Sequence, residues 1–309
     1  MINRPFQGVI PALVTPFKEN ERIDYGAWQL IIDLLIGAGV HGLFVAGAAG
    51  EFYALDMEER IVAMRFCRQA IARRVPMHAN VGCITTRDTI ALALQAQALD
   101  VDAVVVATPY FVMPTQHELI EHYVEVCRAV RIPVIAYNFP RHGGVELAPS
   151  SVAQIASQCP NLVGVHDAGG SLDQAQAYRH AAKDRELHVF TAADHLFLSA
   201  LQAGCAGTVT GSANLCPKLF LDLYEAFHAG DDARAAQLQN LANELAALIQ
   251  VHTFPSAIKE ALNMSDLPMG SCRKPVGSLP AEARQKVAGL LEKLRAADVL
   301  PVVLRGARS

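Results

Sequence analysis

Short runs of apolar residues recur along the chain at positions 8–14, 41–46, 76–81, 102–107, 133–138, 162–166, 187–192 and 206–210. Each is nearly continuous in β-branched and small apolar residues, the pattern of strands covered on both faces rather than on one. Between them the period changes to three and four. Over 56–73, Met57, Ile61, Met64, Cys67 and Ile71 recur at helical steps and share one face, with Glu58, Arg65 and Arg68 turned elsewhere. Asp24, Asp56 and Thr115 stand where helix N-caps belong, and Gly39 and Gly204 near helix ends.

Eight strand-then-helix units in series predict an α/β fold, a parallel (β/α)8 TIM barrel whose helices cover the outside of the strands. From about residue 230 the helical period continues through Leu238, Leu241, Leu245 and Leu248, with no further strand pattern. The expected organisation is a barrel over 1–229 and a C-terminal helical extension over 230–309 packed on it. One segment, Gly37-Ala38-Gly39-Val40-His41-Gly42, matches the dinucleotide-binding string G-x-G-x-x-G. That string needs a strand before it and a helix after it, so that helix N-terminal amides meet the pyrophosphate. Here the glycines close a helix and lead into a strand, the reverse order, and they spell a helix-ending turn.

Composition narrows the function classes. The chain has 309 residues, 52% of them hydrophobic, with 26 basic against 30 acidic side chains. A net charge of −4 gives no broad basic footprint for nucleic acid, and the apolar fraction is too high for disorder. The first residues, Met1 to Gly8, lack the apolar core of a secretory signal. The uncharged stretch Leu34–Gly50 holds five glycines and His41, so no membrane span is expected. Seven scattered cysteines without a C-x-x-C pair point to reduced thiols in the cytoplasm rather than disulfides or a zinc site.

In such a barrel the chemistry sits at the C-terminal strand ends and the loops after them. Those positions hold Thr15, the loop Gly47-Ala48-Ala49-Gly50-Glu51, Thr108-Pro109-Tyr110, Tyr137-Asn138-Phe139-Pro140 followed by Arg141 and His142, then His166-Asp167, Asp194-His195 and Gly211-Ser212-Ala213-Asn214. Together with Leu13-Val14-Thr15-Pro16-Phe17, Gly204-Cys205-Ala206-Gly207 and Phe254-Pro255-Ser256-Ala257-Ile258-Lys259, these segments resemble the dihydrodipicolinate synthase / N-acetylneuraminate lyase family, in the right order from about Gly8 to about residue 295.

The resemblance implies a barrel with C-terminal helices, assembled as a homotetramer or dimer, that condenses or cleaves 2-oxo acids through a lysine Schiff base. It implies Tyr137 as the catalytic tyrosine and Tyr110 as the tyrosine that reaches a neighbouring subunit's site. It also implies Ala48, Ala49, Gly50, Arg141, His142, Gly207 and Val209 as the substrate-binding positions, with no cofactor and no metal. Glu51 is expected as a loop-fixing ion-pair residue rather than an acid.

Three departures from the family pattern bear on the chemistry. The family's strand-6 lysine, in the context G-hydrophobic-K-[DE], is replaced in Gly164-Val165-His166-Asp167 by histidine. An imine needs a primary amine, which loses both protons to become the C=N nitrogen, and imidazole has none to offer. The chain has only seven lysines, at 18, 183, 218, 259, 274, 286 and 293, so strands 2 to 6 carry no substitute. The two hydroxyl residues of the family loop G-[TS]-T-G-E are Ala48 and Ala49, and the family arginine position is held by His142, with Arg141 one place early.

Three readings follow. One is a lyase-like enzyme acting on a 2-oxo or hydroxy acid without an imine, with His166 as general acid or base near its ordinary pKa of about 6.5, Tyr137 opposite it, and Asp167 orienting the ring. Another is a non-catalytic barrel that binds a small carboxylate or sugar acid. The last is a metal-assisted lyase drawing on His142, His166, Asp167, Asp194 and His195.

Overall fold

The computed structural model describes residues 6–182 and 184–300. All eight expected strands are present: β1 (Gly8–Pro11), β2 (Leu43–Val45), β3 (Met77–Asn80), β4 (Ala103–Ala107), β5 (Val134–Asn138), β6 (Leu162–Asp167), β7 (His188–Thr191) and β8 (Gly207–Thr210). They pair in parallel in the order β1-β8-β7-β6-β5-β4-β3-β2. A bridge between Ala12 and Phe44 brings β1 to β2 and closes the barrel. Nearly every strand residue is buried, as expected when side chains point either into the barrel or under the helical ring.

The helices begin where the sequence signals stand. Asp24 caps Tyr25–Gly37, Asp56 forms a capping box with Glu59 on Met57–Ile71, and Thr115 does the same with Glu118 on Gln116–Ala129. Gly39, at φ 92°, follows the first helix as the glycine string required. Met57–Ile71 is rotated from the expected face: Met57 is exposed, while Arg60 is buried beside Met64, Cys67 and Ile71. The guanidinium can be taken inward because it donates to the carbonyls of Asn80 and Gly82 at 2.9 and 3.0 Å.

After β8 the helix Pro217–Ala229 ends the eighth strand–helix unit, and helices Asp232–Leu248, Ser256–Asn263 and Ala281–Ala296 follow it. Asp232–Leu248 packs along Pro217–Ala229 through Ala235, Leu238, Leu245 and Leu248, and reaches over the barrel mouth beside Asp194. The described cysteines are all buried free thiols, and among the described residues no helix is long and apolar enough to cross a membrane.

Candidate active site at the barrel mouth

Residues Tyr137 and His166 lie directly opposite each other in the β5–β6 register, so both side chains fall on the same side of the sheet. Their rings stack at 4.2 Å with an interplanar angle of 10°. Phe44 of β2 meets both rings edge-on, at 5.5 Å from His166 and 6.0 Å from Tyr137, and Phe139 stacks on the Tyr137 ring at 5.0 Å. This aromatic cluster lines the inner end of a cavity of about 980 Å³ at the C-terminal ends of the strands.

His166 is 3% exposed, and neither ring nitrogen has a hydrogen-bond partner. The Val209 backbone is close enough to favour the charged ring slightly, but completes no hydrogen bond with it. Burial dominates and pushes the pKa down to about 3. The imidazole is therefore neutral at physiological pH, and the expected acid–base group near 6.5 is replaced by a hydrogen-bonding group with one free donor and one free acceptor. Asp167 does not orient it. Successive strand residues point to opposite faces, and the Asp167 carboxylate accepts instead from Asn138 and the Gly169 amide at 2.8 and 3.0 Å. The Tyr137 phenol, its pKa raised by burial, makes no hydrogen bond among the described residues.

Of the positions that the resemblance implies, Ala48, Ala49, Arg141, His142 and Val209 line this cavity. The backbone amides of Ala48 and Ala49 donate to no acceptor among the described residues, which leaves two N–H groups for an anion. Arg141 stands exposed at the rim, where its guanidinium donates to Gln250 at 3.2 Å, and His142 stacks on Phe139 at 4.7 Å. Two implied positions lie elsewhere. Gly50 supports the loop from behind: its carbonyl accepts the Thr15 hydroxyl at 2.7 Å, and a Cβ there would meet the Leu13 carbonyl oxygen at 2.9 Å. Gly207 sits at the start of β8, where a Cβ would fall 1.9 Å from the Gly8 carbonyl oxygen, so its glycine serves the β1–β8 approach at the far end of the barrel. Tyr110 faces a smaller adjoining pocket of about 300 Å³.

The cavity also holds groups that the resemblance did not imply as substrate-binding positions. Asp194 is 3% exposed; the Ser212 hydroxyl donates to its Oδ2, while its Oδ1 has no partner. Burial raises its carboxyl pKa to about 6, against the lowering pull of Ser212 and Thr210. Asn243 of the helix Asp232–Leu248 and Gln250 just after it complete the wall with Thr253 and Phe254. Asp194 and Ser212 did stand at strand ends in sequence; only packing shows that one carboxylate oxygen is left open.

Lysine placement is equally informative. Lys259 is buried with all three ammonium hydrogens committed, to Glu51 at 2.9 Å and to the carbonyls of Thr15 and Ser271 at 3.0 and 2.8 Å. Glu51 spends its other oxygen on the Arg273 amide at 3.0 Å, as a loop-fixing residue should. Lys18, Lys218, Lys274, Lys286 and Lys293 are exposed, and none lines the cavity; Lys183 lies outside the described residues. Nor do His142, His166, Asp167, Asp194 and His195 converge. Among the described residues no three His, Cys, Asp or Glu side chains stand close enough to hold one ion.

A sequence model of the dihydrodipicolinate synthetase family matches residues 5–294. The chain belongs to this family. It is 33% identical to the probable 2-dehydro-3-deoxy-D-pentonate aldolase YjhH of Escherichia coli K12, over 97% of this chain and 100% of that protein. It is 33% identical to the 4-hydroxy-tetrahydrodipicolinate synthase of Archaeoglobus fulgidus, over 94% of this chain and 98% of the relative. The crystal structure of YagE, an E. coli K12 prophage protein of the family in complex with pyruvate, superposes with a TM-score of 0.90 at 31% identity, covering 94% of this chain and 99% of that one. The barrel, its mouth and its C-terminal helices are thus those of a family of lyases and aldolases.

Proposed function

We propose that this protein is an imine-independent member of the dihydrodipicolinate synthetase family that holds a 2-oxo acid or sugar acid non-covalently at the barrel mouth. One observation carries the reading: the strand-6 position that the family pattern gives to lysine is occupied by His166, a buried neutral imidazole on the cavity wall with both nitrogens free. An amine there would be desolvated and reactive; an imidazole can only hydrogen-bond the ligand's carbonyl oxygen or hydroxyl. The Ala48 and Ala49 amides suit a carboxylate, and Asp194 with Ser212 suits ligand hydroxyls of the kind carried by the 2-dehydro-3-deoxy sugar acids named for YjhH.

Any proton transfer at this site falls to Asp194, whose pKa of about 6 keeps both protonation states accessible near neutrality. The metal-assisted alternative lacks a converging ligand set. Self-association belongs to the same reading, with the exposed Phe111, Val112 and Met113 beside Tyr110 as apolar surface for a second subunit to cover. A cytoplasmic setting accords with the seven free thiols.

The test is borohydride trapping with pyruvate, read by intact mass beside a lysine-containing relative. We expect the relative to be labelled and this chain to remain at its native mass, while calorimetry detects pyruvate binding. A stable adduct on this chain would overturn the proposal, and peptide mapping would name the lysine responsible.

A further inference from the structure

We propose that the protein exchanges a C3 proton of the 2-oxo acid it holds, Asp194 Oδ1 taking the proton while the His166 imidazole donates a hydrogen bond to the carbonyl oxygen that becomes the enolate. That reaction rests on the function proposed above, to which it adds a chemical step. Both side chains are 3% exposed and line one cavity, and each keeps its working atoms unpartnered: the two ring nitrogens of His166 and the Oδ1 of Asp194. Enolisation needs such a pair, a donor where negative charge develops on oxygen and a base for the proton on the neighbouring carbon.

The end of β8 brings the two groups into one neighbourhood. The Val209 backbone lies beside the His166 ring, and Ser212, three residues further on, donates to Asp194 Oδ2. Three residues of chain span at most about 10 Å, within the reach of one small acid that contacts both groups. The Ser212 bond fixes the carboxylate and leaves Oδ1 for the substrate. Asp194 is also the one carboxylate among the described residues that lines this cavity.

The protonation states suit the step. Burial keeps the imidazole neutral, and a neutral imidazole N–H can stabilise an enolate oxygen without giving up its proton. Burial also raises the Asp194 carboxyl to about 6, so it is ionised at neutral pH yet more basic than an ordinary aspartate. The Tyr137 phenol is held protonated by burial and offers no base. No co-reactant is needed. The C3–H electron pair becomes the C2=C3 bond, the carbonyl π pair moves onto oxygen, and the proton passes to Asp194. Exchange of that acid proton with water, followed by reversal of the step, returns the 2-oxo acid with a solvent hydrogen at C3.

The experiment is proton NMR of the pyruvate methyl signal in D2O with the full chain, beside calorimetry of pyruvate binding under the same conditions. We expect deuterium to enter C3 at least tenfold faster than in protein-free buffer. In Asp194→Asn the rate should fall at least tenfold, while pyruvate, which has no hydroxyl for Asp194 to hold, still binds within about threefold of the parent. Treatment with borohydride in the presence of pyruvate should leave the exchange intact, since there is no imine to trap. Pyruvate binding with exchange no faster than in buffer overturns the proton transfer and leaves the proposed function standing. Undiminished exchange in Asp194→Asn also overturns it, because another base would then act. Exchange abolished by borohydride, with an adduct on the chain, overturns both readings. Absence of pyruvate binding removes the proposed function, and the proton transfer with it.

Discussion

Two buried polar clusters flank the strand-2 loop, and they treat their hydrogen bonds in opposite ways. On one side Lys259, Glu51, Thr15, Ser271 and Arg273 leave no ammonium hydrogen and neither carboxylate oxygen unmatched. On the other, His166 has two idle nitrogens and Asp194 an idle oxygen, both residues lining the cavity. Burial without a partner is expensive in a protein interior, so polar groups left open are characteristic of a place where something else binds. The first cluster holds the loop; the second is the one proposed above to bind a ligand. The proposed reading takes the buried lysine as no substitute nucleophile for the same reason: an ammonium with three hydrogen bonds, one of them an ion pair, has neither a free lone pair nor freedom to move.

The largest expected effect breaks the first cluster. Lys259→Met removes the cation from a fully buried carboxylate and frees two carbonyls. Truncating one partner of a buried pair costs about 3–5 kcal/mol. Urea unfolding of the variant should show a loss of that size. A loss below about 1 kcal/mol would mean that the pair does not hold the loop. Glu51, at φ 55°, is also a non-glycine residue in left-handed backbone that this ion pair keeps in place.

The same operation on the second cluster should do the reverse. His166→Phe keeps a ring stacked between Phe44 and Tyr137 and deletes two unsatisfied nitrogens. We expect stability within about 1 kcal/mol of the parent, or above it, because no made hydrogen bond is lost. Pyruvate binding by calorimetry should fall at least tenfold. If the variant is instead strongly destabilised while binding is unchanged, His166 is a structural residue and the two clusters do not differ.

Acid titration sharpens the contrast further. The folded pKa of His166, about 3, lies below its ordinary value of 6.5, so the unfolded chain takes up a proton that the folded one refuses. Its contribution is a loss of stability as pH falls from about 6.5 towards 3, at up to about 1.4 kcal/mol per pH unit. Asp194 has the opposite sign. Its folded pKa of about 6 lies above the ordinary 3.8, so it adds stability that is complete below about 4 and lost as pH rises through 6. Relative to the parent, His166→Phe should therefore gain stability as pH falls below 6.5. Asp194→Asn should gain most above pH 6 and nothing below about 4. Parallel curves for the two variants would remove both shifts from the account.

The strands were legible in sequence because a strand covered on both faces must be apolar throughout, and the caps because Asp24, Asp56 and Thr115 have few other reasons to precede an apolar period. Site positions were legible only where a motif marked a strand end. Phe44 gave no signal, since an apolar residue in a buried strand looks the same whether it fills a core layer or lines a ligand cavity. Arg60 gave no signal either, because nothing in its own helix shows that carbonyls from β3 and the loop after it stand ready to receive a buried guanidinium. Gly207 stood as a site position only through the family resemblance, and its glycine serves the approach of β1 to β8.

The smallest expected effect tests the rim against the floor. Arg141 is exposed, and its one hydrogen bond, to Gln250, runs across the mouth between the strand-5 loop and the residues just after the helix Asp232–Leu248. Exposed contacts of this kind contribute about 0.2–1 kcal/mol, so Arg141→Ala should leave unfolding nearly unchanged. A positive charge at a cavity rim acts instead on the approach of an anion, and that action is screened by salt. Pyruvate binding should weaken about two- to threefold in the variant at low ionic strength, and the difference should shrink as salt is added. A salt-independent loss of tenfold or more would place Arg141 in direct contact with the bound carboxylate and move part of the anion site from the Ala48 and Ala49 amides to the rim.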